Sequence, residues 1–132
     1  MKKIIFIFMS VVLLGNFSYA QEEVKTKENK TLVYYFHNTH RCATCNAVED
    51  ITRKTLHENY KNELEKGIIV FESLNIEEDA HKALARKYQV SGQCLLIIKG
   101  DNKEDLTNEA FLYARSNSKK LQDIIINTID GL

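Results

Sequence analysis

The 132-residue sequence contains no proline and no tryptophan, and it holds only three cysteines. No prolyl bond can shape a loop, and no indole can take part in a site. Three cysteines exclude a four-cysteine zinc centre, and neither a second C-x-x-C nor an H-x-x-x-H pair is present to complete another zinc set. Charge of one sign is not in excess: 18 basic residues face 18 acidic ones, a formal net charge of zero. A chain without a net field has no electrostatic means of steering a polyanion, so no nucleic-acid partner is expected. No paired-carboxylate or serine-nucleophile arrangement, no flavin or nicotinamide fingerprint and no internal repeat appears, and no cofactor is expected.

What is present is ordinary globular composition, with 44% hydrophobic and 27% charged residues, enough apolar surface for one packed core. The amino terminus differs from the rest. Lys2 and Lys3 precede the apolar run Ile4 to Leu14, and Ser18 and Ala20 place small residues at −3 and −1 of a cut before Gln21. The run is shorter than the ~20 residues of a spanning helix, and Gly15, Asn16 and Ser18 weaken its end. Residues 1–20 are therefore expected to be an export signal, 21–30 a flexible lead-in and 31–132 a single domain. The mature protein is expected to be exported, periplasmic or secreted, and soluble after cleavage.

Thr31 to His37 is rich in β-branched and aromatic residues, as a strand buried on both faces would be. Residues 42 to 66 place Ala47, Val48, Ile51, Leu56, Tyr60 and Leu64 at helical steps, and Gly67 stops them. Ile68 to Leu74 then forms a second strand, parallel to the first through the helical crossover. A second helix, roughly Glu78 to Gln89, leads into the apolar strand Cys94 to Lys99. Gly100 to Lys103 is turn chemistry, so Ala110 to Ala114 is expected as a fourth strand in a hairpin with the third. A final helix opens at Ser116 or Ser118, with Leu121, Ile124, Ile125, Thr128 and Ile129 on one face. The order β-α-β-α-β-β-α implies an α/β fold with a mixed central sheet flanked by helices.

Cys42 and Cys45 stand at i and i+3 where a helix follows a buried strand. They are close enough to form a disulfide, and a helix amino terminus favours a thiolate. Cys42, in the first turn, is expected to attack a disulfide; Cys45, one turn deeper, is expected to resolve the mixed disulfide. Half a zinc site or a static disulfide are the other readings of the motif. Arg41 is a candidate for stabilising the Cys42 thiolate, or else a solvated loop charge. His37 and His40 flank the same loop as candidate proton carriers or ligands, whereas His57 and His81 read as solvated.

With a Tyr-Phe strand before Cys42-Ala-Thr-Cys45, and Ala85 to Gly100 running through Val90-Ser91-Gly92 into an apolar strand, residues 31 to 130 resemble the thioredoxin superfamily. The resemblance implies a thioredoxin-like fold, thiol–disulfide oxidoreductase activity and a protein disulfide or dithiol as partner. It also implies that the loop after Val90-Ser91-Gly92 faces the active cysteines; Cys94 stands where that family has a cis-proline. Arg41 replaces its usual tryptophan, and Phe36 its buried acid. Phe36 to Glu49 is similar to a small secreted branch labelled the nitrophenyl compound nitroreductase subunit ArsF family. If Cys94 faces the pair, it offers either a third thiol that switches disulfide partners or a substrate-binding position. The alternative function is a thiophilic metal or metalloid binding protein using Cys42, Cys45 and Cys94, since three soft donors suit Cu(I). A small buried residue opening an apolar strand is the plain account of Cys94.

Overall fold

The computed structural model describes residues Lys30–Leu132. The expected export signal, and all of the lead-in but Lys30, lie outside the described residues. The strands are β1 (Thr31–His37), β2 (Ile69–Asn75), β3 (Cys94–Lys99) and β4 (Asn102–Asp105). The helices are α1 (Ala43–Asn59), α2 (Lys61–Glu65), α3 (Asp79–Lys87), α4 (Thr107–Tyr113) and α5 (Ser118–Gly131). Among the described residues no helix is long and apolar enough to cross a membrane.

The sheet order is β2-β1-β3-β4. β1 lies inside the sheet, which is why its sequence is apolar almost without interruption: both of its edges are paired and both faces covered. It runs parallel to β2, with Thr31 opposite Ile69, and antiparallel to β3, with Phe36 opposite Cys94. Side chains alternate across the sheet. Val33, Tyr35, Leu95 and Ile97 join Val48 and Leu56 of α1, Ala110 of α4, and Leu121, Ile125 and Ile129 of α5 in one core. Tyr34, Phe36, Leu96 and Ile98 join Leu74 and Ala85 of α3 in a second core on the other face.

Three expectations are corrected. The fourth strand is β4, not Ala110 to Ala114, and it pairs with β3 through Leu96 opposite Asp105 and Lys99 opposite Asn102. Its Asn-Lys-Glu-Asp side chains are all exposed, so backbone pairing at a sheet edge leaves no apolar pattern to read. The Ala110–Ala114 run is instead helical: Ala110 and Ala114 are buried four residues apart, while Leu112 between them is exposed. Asp105 stands just before that helix, its Oδ1 accepting from the Thr107 amide at 2.9 Å and the Thr107 hydroxyl at 2.5 Å. The long helix after Cys42 is likewise broken at Tyr60, whose backbone leaves helical geometry. The Tyr60 hydroxyl donates to Asp130 Oδ1 at 2.6 Å and ties the break to α5. The cap of α5 is Asn117, whose side chain accepts from the Lys120 amide.

Candidate active site

β1 delivers the chain to the loop Asn38–Arg41, and α1 starts immediately after it. Cys42 is the N-cap of α1, in extended backbone geometry, and its Sγ accepts the Cys45 amide at 3.3 Å. A thiol sulfur therefore occupies the position that a serine or aspartate oxygen takes at other helix starts. No acidic residue lies in the first turn, so nothing there cancels the positive end of the helix. Cys42 is exposed, while Cys45 is 1% exposed; both are free thiols.

The two sulfurs are pushed in opposite directions. Hydrogen bonding from Cys45 above all, and then from the backbone amide of Thr44, holds the Cys42 thiol below its usual range. Burial above all, and then the neighbouring Cys42, pushes the Cys45 thiol up. The exposed sulfur is thus the readier nucleophile, and the buried one keeps its proton longer.

Cys45 is held from two further sides. The buried Tyr35 hydroxyl donates to the Cys45 carbonyl at 3.0 Å, fixing the first turn of α1 to the central strand. The Cys45 thiol donates to Gln93 Oε1 at 2.9 Å. Gln93 and Tyr35 are the functional neighbours that sequence reasoning did not single out. For Gln93 a signal existed, because it ends the loop that the superfamily resemblance turns toward the cysteines.

Arg41, the candidate for stabilising the Cys42 thiolate, turns its side chain to Glu49. Its guanidinium pairs with Glu49 and lies 5.5 Å from the Tyr35 ring centroid. Arg53 holds the other oxygen of the same carboxylate at 2.7 Å. Burial works to raise Glu49, but the hydrogen bonds from Arg53 and Arg41 outweigh it and keep the carboxyl below its usual range. The cation beside Cys42 is thus paired with Glu49, and the groups that lower the Cys42 thiol are Cys45 and backbone amides.

His37 places Nδ1 2.9 Å from the Asn38 carbonyl oxygen and its ring against Tyr35, and His40 is exposed. Among the described residues neither is hydrogen-bonded to Cys42 or Cys45. His57 is exposed, whereas His81 is partly buried, with Nδ1 3.0 Å from the Asn75 carbonyl oxygen, and so departs from the solvated reading.

Cys94 is half-buried and opens β3 on the face covered by α3, packed against the cluster of Tyr34 and Phe36. Val48, one turn beyond Cys45, belongs to the opposite face. The Cys94 sulfur lies 3.2 Å from the Thr107 hydroxyl and 3.9 Å from Asp105 Oδ1. Burial above all pushes this thiol up. Among the described residues no three His, Cys, Asp or Glu side chains are gathered so as to hold an ion, so the three-thiolate set of Cys42, Cys45 and Cys94 is not assembled in this arrangement.

The fold is similar to that of solved thioredoxins. Thioredoxin O2 of Arabidopsis thaliana in the oxidised state is similar at 16% identity and a TM-score of 0.51, over 82% of this chain and 86% of that one. The Malassezia sympodialis thioredoxin is similar at 18% identity and 0.51, over 83% and 84%. Trxlp of Edwardsiella tarda is similar at 13% identity and 0.50, over 83% and 94%. No family model and no curated protein sequence matches the chain. The fold is thioredoxin-like, a mixed four-stranded sheet flanked by helices, with a C-x-x-C pair at the start of its first helix.

Proposed function

We propose that this chain is a thiol–disulfide oxidoreductase acting on protein partners through Cys42 and Cys45. The observation that carries the reading is the helix-capping Cys42 sulfur, exposed and lowered in pKa, above a buried Cys45 raised in pKa. The Cys42 thiolate attacks one sulfur of a partner disulfide, forming a mixed disulfide while the other partner sulfur leaves and takes a proton from water. Cys45 then loses its proton and attacks the Cys42 sulfur, closing the Cys42–Cys45 disulfide and releasing the second partner thiol. Two electrons pass from the dithiol to the partner; the same steps in reverse oxidise a partner dithiol.

The test is trapping. Cys42→Ser is expected to abolish exchange with a protein disulfide, and Cys45→Ser to accumulate a mixed disulfide through Cys42, seen on non-reducing gels and by mass. Wild-type exchange in both variants would sink the proposal. Export belongs to the same reading, on the strength of Lys2, Lys3, the apolar run and the Ser18–Ala20 site. The mass of the protein recovered from the exported fraction should correspond to a chain beginning at Gln21. The likeness of Phe36 to Glu49 to the nitroreductase-subunit branch brings no flavin or nicotinamide fingerprint with it, so the dithiol carries the proposed chemistry.

A further inference from the structure

Resting on that reading, we infer that Gln93 is a positioning residue for the resolving thiol, holding Cys45 in both of its protonation states. Gln93 sits in the loop between α3 and β3, far in sequence from α1, and its Oε1 accepts the Cys45 thiol at 2.9 Å. Cys45 is otherwise enclosed: its side chain is 1% exposed, so water is a poor substitute partner for its sulfur. A buried sulfur that must change from thiol to thiolate needs an acceptor first and a donor afterwards.

A primary amide is the neutral side chain that supplies both. Oε1 accepts from the thiol; a half-turn about the terminal torsion brings Nε2–H to the same place and donates to the thiolate. No proton passes to or from Gln93. The thiol proton goes to solvent, the Cys45 thiolate attacks the Cys42 sulfur of the mixed disulfide, and the partner sulfur leaves with the electron pair. Gln93 acts by keeping the Cys45 sulfur in place and lowering the cost of its charged form within a dry site.

The experiment separates the two steps with 5,5′-dithiobis(2-nitrobenzoate), using the full mature chain carrying Cys94→Ala so that only the pair reports. Attack by Cys42 releases one thionitrobenzoate and leaves a mixed disulfide; attack by Cys45 releases the second. In Gln93→Leu the donor is lost, and the second release is expected to slow about tenfold at pH 7 and to recover at higher pH, while the first release keeps its rate. Gln93→Glu retains an acceptor but opposes the thiolate with its own charge, so its second phase should shift to still higher pH. A second phase with an unchanged pH midpoint in folded Gln93→Leu overturns the inference while leaving the dithiol reading intact. Should one variant fail to fold by circular dichroism, the other decides alone. Absence of any second release from the parent chain overturns both readings together.

Discussion

Cys42 and Cys45 are three residues apart yet sit in different media, one in water and one beneath the first turn of α1. That contrast predicts unequal titration. Alkylation by iodoacetamide, followed residue by residue by mass spectrometry, should show Cys42 reacting at a lower pH than Cys45 or Cys94, because only Cys42 is lowered while burial raises the other two. A common midpoint for all three would contradict the electrostatic asymmetry. Arg41 adds a second prediction at this scale. Its guanidinium is paired with Glu49, so Glu49→Gln should free the cation and move the Cys42 midpoint down. The double variant Arg41→Ala/Glu49→Gln should lose that downward shift; if it keeps it, the shift does not come from Arg41.

At the scale of the element, the segment after β4 shows how a short polar contact overrides an apolar run. Ala110–Phe–Leu–Tyr–Ala114 has strand-like composition, but Asp105 accepts two hydrogen bonds from Thr107 and turns the chain into a helix at once. Asp105→Ala should therefore cost about 1 kcal/mol of stability, the ordinary value of a lost side-chain hydrogen-bond partner. Urea denaturation with an unchanged slope is the measurement, and a variant as stable as the parent would remove Asp105 from this role. Thr52 and Thr55 of α1 make a related point. Both are wholly buried in a helix, and each satisfies its hydroxyl on a carbonyl four residues back, Val48 at 2.8 Å and Ile51 at 2.7 Å.

For the whole molecule, stability rests on two cores separated by the sheet. α5 docks on the same face as α1 through Leu121, Ile125 and Ile129, so it stiffens the helix whose first turn carries the site. Ile125→Ala should cost about 2–5 kcal/mol, since a fully buried side chain leaves a cavity that rigid neighbours fill poorly. Leu112→Ser, at a side chain 62% exposed, should stay within about 0.5 kcal/mol of the parent. Equal losses in the two variants, measured by thermal or urea unfolding, would mean that α5 is not part of the cooperative core.

The sequence by itself determined the inner strands, the parallel crossover between the first two, the final amphipathic helix and the place of the C-x-x-C pair. Each of these writes a local signal: apolar runs where both faces are covered, 3.6-residue spacing where one is, and cysteines at i and i+3 where a helix begins. The edge strand Asn102–Asp105 wrote none, because it is held by backbone pairing and its four residues are polar and exposed. Only the tertiary structure decided what surrounds the thiols. It paired Arg41 with Glu49, set the Tyr35 hydroxyl on the Cys45 carbonyl, and brought Gln93 across from another loop to the Cys45 sulfur. It also placed Cys94 on the α3 face of the sheet. These contacts join residues from separate elements, and the strand alternation that assigns a side chain to one face takes its meaning from which helix covers that face.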